Sequence, residues 1–314
     1  MAKPDILIFH VWDEWDLTPM HEQFTVHEMP KSGDVMELPE DVRHAITAFA
    51  FKGHSFLGAE IMDAFPNLGM IANYGVGYDT IDVAHATTRG IKVSNTPDVL
   101  TTDVADLGIG LMIAKSRDIV GASQWVRSGN WSARGEYPVQ TKVSGKAAGI
   151  VGLGRIGRAV GERLVPFGMD IHYYSRAPKE TPGWTHHSNI AAMAEKVDFL
   201  FVTLSGGPDT AGMIDAHVIN AVGPNGLLIN ISRGSTMDEA ALLDALESGA
   251  LGAAALDVFK SEPGLDPRFL ALDNVLLSPH QSSGTIETRK EMGVLQRANL
   301  QAFFNGDALI TPVN

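Results

Sequence analysis

Hydrophobic residues in this chain fall into short runs, which alternate with longer stretches where apolar positions recur every three or four residues. The short runs predict buried strands, and the longer pattern predicts amphipathic helices. Their alternation is typical of a parallel sheet covered by helices, so the pattern predicts an α/β fold. In the first half, strands are predicted at 5–11, 44–50, 69–73 and 91–94, and helices at 57–65 and 80–88.

The second half of the chain repeats this alternation and predicts a second α/β unit. A long helix starts at about residue 101, near the join between the two units. One later helix has clear ends, because Thr236 and Glu239 form a capping box before it and Gly249 stops it. Residues 176–187 are predicted to form a loop without regular structure. The other predicted elements are strands at 147–151, 170–174, 198–204, 226–231, 252–256 and 275–278, and helices at 237–248 and about 284–304.

Composition narrows the class of protein. A length of 314 residues suggests about two domains. Acidic residues outnumber basic ones by 37 to 24, for a net charge of -13. Such a surface repels phosphate backbones and anionic lipids, so neither nucleic acid nor a membrane is an expected partner. The chain has no cysteine, which excludes thiolate metal sites and cysteine nucleophiles and fits a reducing, cytoplasmic location.

Three features near the chain start and in the second half are interpreted as structural. The apolar run from Ile6 to Trp12 is too short to cross a bilayer and is followed by acidic residues, so it predicts a buried strand. The stretch from Trp12 to Asp16 is interpreted as a surface loop that packs aromatic side chains. His186 and His187 lack carboxylates or thiols nearby in the sequence, which favours an exposed loop pair over a metal site.

A glycine-rich turn follows the predicted strand at 147–151. Its position between a strand pattern and a helix pattern is the context that the dinucleotide-binding fingerprint requires. The first glycine permits a tight turn, the second allows close approach of a pyrophosphate, and the third allows the helix to pack on the strand. A tight turn without a ligand is the alternative. The turn reads Gly152, Leu153, Gly154, Arg155, Ile156, Gly157.

The end of the next strand bears on the choice of cofactor. An NAD enzyme usually carries an acidic residue there, which accepts hydrogen bonds from the ribose hydroxyls. This chain has Ser175 instead, followed by Arg176 and Lys179. Because a guanidinium can bind a 2′-phosphate and a carboxylate would repel it, the sequence predicts NADP(H) in preference to NAD(H). Ordinary loop charges are the alternative for Arg176 and Lys179.

Further candidate residues follow other predicted strands. Arg233, Glu262 and His280 come after three strands of the second half and are expected to meet at the edge of the sheet that carries the glycine turn. In the first half, the turn from Gly75 to Gly77 follows a predicted strand and suits a small anion such as a carboxylate. A turn that merely needs glycine conformations explains the latter equally well.

Taken together, these motifs resemble the D-isomer-specific 2-hydroxyacid dehydrogenases. The similarity runs from about residue 45 to the chain end, and Ser175, Arg176 and the region of Trp131 look most like the NADPH-dependent glyoxylate and hydroxypyruvate reductases. The segments that carry it are the glycine turn, Asn73 to Asp79, Ser232-Arg233-Gly234, Ala255 to Phe259 with Glu262-Pro263, and Ser278-Pro279-His280.

The resemblance implies two Rossmann-like domains with parallel sheets. A substrate domain would comprise 1–98 and 284–314, with a coenzyme domain, 99–283, inserted into it. Arg233 would bind the substrate carboxylate and carbonyl, Glu262 would orient and charge His280, and His280 would donate the proton. The substrate site would also include Gly75, Val76, Gly77 and Ser283. The cofactor would be lined by residues 152–157, Ser175, Arg176, Lys179, Ser205, Ile231 and Asp257.

The resemblance also implies a homodimer paired through the coenzyme domains, in which Trp131 reaches the partner's site or packs within its own subunit. The chain departs from the family pattern at Gln281-Ser282, where Ile or Val and then Gly are usual, and at 205–208. These departures leave the acyl group of the substrate open.

Three functions are therefore considered. The first is an NADPH-dependent reductase of glyoxylate, hydroxypyruvate or a related 2-oxoacid, and the second is the same chemistry on a bulkier aryl or branched 2-oxoacid. The third, a non-enzymatic dinucleotide-sensing corepressor, is disfavoured because it has no need of Arg233, Glu262 and His280.

Overall fold

The structure is a computed structural model that describes residues 3–53 and 55–314. The chain divides into two compact units. The first comprises Met1–Leu100 and Ser283–Asn314, and the second comprises Thr101–Ser282. The sequence predicts these divisions at 98/99 and 283/284.

The first unit is built on a 5-stranded parallel sheet with the order β2-β1-β3-β4-β5. Phenylalanines pack edge to face beside it, with ring centroids 4.9 Å apart for Phe49 and Phe65 and 5.2 Å apart for Phe9 and Phe51. The elements are β1 Asp5–Ile8, α1 Glu14–Gln23, β2 Thr25–Glu28, α2 Glu40–Ala45, β3 Ile46–Phe51, α3 Ala59–Asp63, β4 Met70–Asn73, α4 Val83–Thr88, β5 Lys92–Ser94 and, from the chain end, α12 Ile286–Asn305.

Helix α12 is fixed to this unit by buried polar contacts. Gln296 donates from Nε2 to the carbonyl oxygen of Phe51 at 3.3 Å and to that of Ala72 at 2.7 Å. Arg297 forms an ion pair with Asp16 of α1, whose side chain is fully buried. Loss of Arg297 would leave the buried Asp16 carboxylate without its cation, so α1 depends on its contact with α12.

The second unit contains a 7-stranded parallel sheet with the order β12-β11-β10-β9-β6-β7-β8. The chain moves from β6 outward in one direction and then returns to the other side of β6, so the strand order reverses between β6 and β9. The elements are α5 Thr101–Ser116, α6 Ile119–Arg127, α7 Asn130–Arg134, β6 Ala147–Val151, α8 Arg155–Leu164, β7 Asp170–Tyr174, β8 Thr185–His187, α9 Ile190–Ala194, β9 Phe199–Val202, α10 Ala216–Val222, β10 Leu227–Asn230, α11 Glu239–Ser248, β11 Ala253–Leu256 and β12 Val275–Leu277.

The predicted α/β class with parallel sheets is confirmed, but the interpretation of Trp12 to Asp16 as a surface loop is wrong. Trp12 is buried, and α1 begins at Glu14. Strand β2 also was not predicted, because Thr25–Glu28 mixes polar and apolar residues at the edge of the sheet. Within the described residues, no helix is both long and apolar enough to span a bilayer.

Two local predictions in the second unit also need correction. Residues 176–187 are not wholly irregular, since β8 forms there, and His186 and His187 are half-buried strand residues instead of an exposed loop pair. The N-cap residue of α11 is Asp238, whose carboxylate accepts a hydrogen bond from Ala241 N, so Thr236 is not the cap. The predicted stop at Gly249 is confirmed by its left-handed conformation.

Candidate active site

The glycine turn joins β6 to α8 at the point where the strand order reverses, which is where open α/β sheets bind ligands. Gly152 has a φ of +99°, in the left-handed region that glycine adopts without strain. A Cβ on Gly157 would lie 2.2 Å from the carbonyl oxygen of Gly152, so only glycine lets the helix approach the turn this closely. Both positions therefore need glycine for reasons of backbone geometry.

Gly154 differs from these two residues. A Cβ added there would meet no atom of residues 3–53 and 55–314 within 4 Å, its immediate chain neighbours aside, so the described structure leaves open space beside the backbone. Gly154 is also the N-cap residue of α8, with no side-chain cap for the first amides of the helix. Open space beside uncapped amides and the positive end of a helix suits an anionic group. The turn thus fits the pyrophosphate of a dinucleotide.

The end of β7 is organised around the hydroxyl of Tyr173. This oxygen donates to the carbonyl of Lys179 at 3.0 Å and accepts from Lys179 N at 2.9 Å, although Tyr173 is almost fully buried. Lys179 Nζ in turn donates to the carbonyl oxygen of Leu153 in the glycine turn at 2.6 Å. Ser175 is buried and Arg176 is exposed beside it. These hydrogen bonds therefore hold the loop after β7 in a position where the Lys179 ammonium contacts the glycine turn.

An imidazole and a carboxylate meet after the strands on the other side of the sheet. His280 Nδ1 lies 2.6 Å from Glu262 Oε2, and both side chains are about four-fifths buried. The second carboxylate oxygen of Glu262 accepts from Phe259 N at 2.8 Å. Because an ionised carboxylate only accepts hydrogen bonds, Nδ1 carries a proton in this pair, and Nε2 is the atom that can exchange one with a substrate.

The backbone of His280 is held in an uncommon conformation, with a φ of +48°. Asp257, fully buried after β11, fixes the residues on both sides of it. Its carboxylate accepts from the hydroxyl of Ser278 at 2.5 Å and from the amides of Gln281 and Ser282, each at 2.9 Å. Strained residues persist where their surroundings over-determine them, and here the surroundings are these three hydrogen bonds.

This arrangement explains why the departure at Gln281-Ser282 is tolerated. Both residues use their backbone amides to bind Asp257, and any non-proline residue can do so. The sequence placed Asp257 among the residues that line the cofactor and gave no sign that it holds the His280 loop.

Arg233 follows β10 and begins a short 3₁₀ turn. Its carbonyl accepts from the Thr236 hydroxyl at 2.7 Å, and its Nη1 donates to the carbonyl of Ser232 at 2.9 Å. A Cβ on Gly234 would lie 2.0 Å from the carbonyl carbon of Phe259, the residue whose amide holds Glu262. The absence of that Cβ lets the Arg233 turn pack directly against the segment that carries Glu262.

In the first unit, the turn after β4 is fixed through its carbonyl groups. Asn73 Nδ2 donates to the carbonyl of Gly75 at 3.0 Å, and Asn95 Nδ2 donates to that of Val76 at 2.8 Å. In a trans peptide the N–H points opposite to the C=O, so these bonds direct the amides of Val76 and Gly77 away from the two asparagines. Two oriented amides suit a carboxylate, and the sequence gave no sign that Asn95 takes part.

The other predicted site residues also follow strand ends or lie at the unit boundary. Ser205 follows β9 and is exposed, and Ile231 follows β10 and is buried. A Cβ on Gly108 of α5 would lie 2.8 Å from Ile231 Cδ1, so that glycine permits close packing of the helix on the strand end. Ser283 is the first residue of the chain-terminal segment of the first unit.

A phosphate-binding turn and a histidine–carboxylate pair at the same edge of one parallel sheet are features of nicotinamide-dependent oxidoreductases. Comparison with known proteins agrees. A model of the D-isomer specific 2-hydroxyacid dehydrogenase NAD-binding domain matches residues 109–282. The chain is 42% identical over 300 residues, 96% of this chain and 95% of the relative, to a hydroxyphenylpyruvate reductase of Plectranthus scutellarioides.

Two solved structures are similar over the full chain. A 2-hydroxyacid dehydrogenase from Ketogulonicigenium vulgare Y25 is 50% identical with a TM-score of 0.93, covering 100% of this chain and 99% of that one. An NADPH-dependent glyoxylate/hydroxypyruvate reductase from Sinorhizobium meliloti, in complex with NADP and malonate, is 41% identical with a TM-score of 0.94, covering 99% and 97%. The chain belongs to the D-isomer-specific 2-hydroxyacid dehydrogenase family. It is an NAD(P)-dependent 2-oxoacid reductase, as the sequence motifs predicted.

Proposed function

We propose that this enzyme uses NADPH to reduce a small 2-oxoacid, glyoxylate or hydroxypyruvate, to the D-2-hydroxyacid. The observation that carries the proposal is the His280–Glu262 pair, at 2.6 Å, on the sheet edge that also bears the glycine turn. The Sinorhizobium meliloti reductase, similar over almost the whole chain, supports the substrate and the cofactor. We also propose a cytoplasmic location for this enzyme, which the absence of cysteine from its sequence suits.

The reaction places distinct demands on the protein residues. NADPH, when bound, supplies a hydride to the carbonyl carbon of the substrate. His280 donates a proton from Nε2 to the carbonyl oxygen, and Glu262 stabilises the imidazolium before that transfer. Arg233 stabilises the negative charge that develops on the oxygen. The amides of Val76 and Gly77 bind the substrate carboxylate.

Replacing Arg233 with lysine is expected to lower kcat/KM for glyoxylate by about tenfold to a hundredfold, although the charge is kept. A guanidinium can bind two oxygens in one plane, whereas an ammonium is a point charge. Steady-state kinetics at saturating NADPH measure the effect. If kcat and KM both stay at their wild-type values, Arg233 does not contact the substrate.

The preference for NADPH rests on local cations that act against the net charge of -13. We propose that the exposed Arg176 binds the 2′-phosphate and that Lys179 assists it. Two contacts support this role for Lys179: its Nζ donates to the Leu153 carbonyl of the glycine turn, and its backbone is bound by the Tyr173 hydroxyl. Ser175, where many relatives of this fold use a carboxylate, leaves room for a phosphate without repelling it.

A bulkier substrate is the second candidate, favoured by the similarity to the hydroxyphenylpyruvate reductase. A panel of glyoxylate, hydroxypyruvate and 4-hydroxyphenylpyruvate, followed by NADPH absorbance, separates the two. The highest kcat/KM for a small 2-oxoacid supports the first proposal, and the highest value for the aryl substrate supports the second. No turnover of any 2-oxoacid would favour a dinucleotide sensor and refute both.

We also propose that the enzyme is a homodimer in which Trp131 limits the size of the substrate in the partner's site. Trp131, on α7, is 62% exposed, which argues against packing within its own subunit. Several exposed apolar side chains in one short segment are typical of an interaction surface. The others on and beside α6 and α7 are Ile119, Val120, Val126 and Val139.

Replacing Trp131 with alanine is expected to raise kcat/KM for 4-hydroxyphenylpyruvate relative to glyoxylate by about threefold or more, because it removes a bulky wall from the site. The same kinetic panel measures the ratio, and light scattering measures the mass in solution. A monomeric wild type, or a dimeric variant with an unchanged ratio, would contradict the proposal.

A further inference from the structure

Lys52 lies at the carboxyl edge of the sheet in the first unit, next to the turn proposed to bind the substrate carboxylate. Strands β3 and β4 are adjacent, with Phe51 opposite Asn73. Tyr74 N donates to the carbonyl of Phe51 at 2.7 Å, so the two strands remain paired at their ends. Lys52 is the first residue after β3. In the same way, Tyr74 and the Gly75 turn come directly after β4. Ligands of parallel sheets bind at such adjoining carboxyl ends.

The ammonium group of Lys52 is fixed in position. Its Nζ lies 5.0 Å from the ring centroid of Trp12 and 5.2 Å from that of Tyr74, and it donates to the carbonyl of Val11 at 3.1 Å. Both rings are themselves anchored, because Trp12 Nε1 donates to Phe9 O at 2.8 Å and the Tyr74 hydroxyl donates to a carbonyl of α12 at 2.6 Å. A lysine held over two buried rings is much better ordered than an ordinary surface lysine.

Charged side chains of both signs act on this ammonium. Burial lowers the pKa of Lys52, the carboxylates of Asp13 and Asp16 act against that effect, and the guanidinium of Arg289 adds to it. Asp13 directly follows Trp12, whose ring the Lys52 ammonium contacts. Asp16 is fully buried and paired with Arg297. Asp13 is exposed and is the N-cap residue of α1, yet its side chain makes no capping hydrogen bond. The exposed Asp13 carboxylate comes directly after the Trp12 ring that Lys52 contacts, so it can accept a hydrogen bond from a ligand bound near the ammonium.

We propose that Lys52 and Asp13 form a polar subsite that binds the hydroxyl groups on the tail of a polyhydroxylated 2-oxoacid. The inference rests on the proposed function and names a substrate class for the same site. A hydroxyl both donates and accepts, whereas an ammonium only donates and a carboxylate only accepts, so the pair satisfies both properties of a hydroxyl-bearing tail. An aryl tail would leave the Lys52 ammonium and the Asp13 carboxylate without a new partner.

The test compares a substrate that has such a tail with one that has none. Values of kcat/KM for 2-keto-D-gluconate and for glyoxylate are measured with NADPH for the wild type and for Lys52→Met, which keeps the chain length and removes the charge. The ratio of the two values is expected to fall by about tenfold or more, because the lost hydrogen bonds are charge-assisted. Asp13→Asn is expected to lower the same ratio by a smaller factor.

Lys92→Met is the matched control, because Lys92 is exposed and begins β5 at the opposite, amino edge of the same sheet. It should leave the ratio unchanged. Lys52→Arg keeps the charge over the rings and should retain most of the ratio, which separates loss of the cation from loss of packing. Glyoxylate turnover reports whether each variant is folded.

Each outcome decides the proposal. A selective fall in the Lys52→Met ratio supports it. Equal losses for both substrates, an unchanged ratio, or a wild type that reduces glyoxylate and not 2-keto-D-gluconate overturns the subsite and leaves the proposed function standing. A wild type that reduces neither substrate overturns the proposed function itself, and the subsite with it.

Discussion

Replacing His280 with alanine is expected to lower kcat by about two to four orders of magnitude, the usual contribution of a positioned general acid. The imidazole is held at 2.6 Å from Glu262, and its flanking residues are bound to Asp257. In the variant, water would have to donate the proton. A water molecule is not paired with the Glu262 carboxylate and is not held in line with the substrate carbonyl. The measurement is kcat for glyoxylate reduction at saturating NADPH.

Binding of NADPH should survive the change, because the glycine turn and the loop after β7 do not depend on His280. Fluorescence titration with NADPH checks this point. His217→Ala is a suitable control, since His217 is an exposed residue of α10 in the same unit. A His280→Ala enzyme with near wild-type kcat would show that another group donates the proton.

The second large effect concerns the cofactor. The wild type is expected to use NADPH with a kcat/KM at least about tenfold above that for NADH, because a charge-assisted bidentate pair contributes roughly 1.5–3 kcal/mol. The double variant Ser175→Asp with Arg176→Gln should reverse the order. The new carboxylate would accept from the free ribose hydroxyl and repel the 2′-phosphate. Kinetics with each cofactor at fixed glyoxylate measure the change.

Lys142→Gln is the control that separates the effect of the Arg176 cation from the effect of the protein's net charge. It removes one positive charge from an exposed residue elsewhere in the second unit and should leave the cofactor ratio as it is. The KM for glyoxylate should change little in the double variant, because the adenosine end is remote from the hydride. Equal use of NADH and NADPH by the wild type would contradict the role given to Arg176.

The fold class was predictable from the sequence, and candidate site residues could be selected from it, because these residues follow strand ends in short motifs. Glycine spacing after β6, the cations after β7 and the single ionisable residues after later strands can each be recognised within a few residues. The parallel sheet then brings these strand ends to one edge without further information. Fold class and candidate site residues both depend on such local patterns.

Features that depend on distant partners were not predictable in this way. Asp16 looks like a surface residue in its own segment, and it is buried only because Arg297, supplied near the chain end, pairs with it. Asp257 likewise has a role that only the folded His280 loop reveals. The cap of α11 was misplaced because Thr236 fits the capping pattern, but it is buried in the turn that follows Arg233.

The origin of the first unit from both chain ends has a consequence for biosynthesis. Residues 101–282 leave the ribosome as one continuous segment and can fold as a domain while translation proceeds. The five-stranded sheet is synthesised earlier but lacks α12, so the Asp16 carboxylate has no guanidinium and the main-chain groups bound by Gln296 have no partner. The unit whose synthesis begins first is thus completed last, because the sheet face on which α12 packs stays uncovered until that helix has been made.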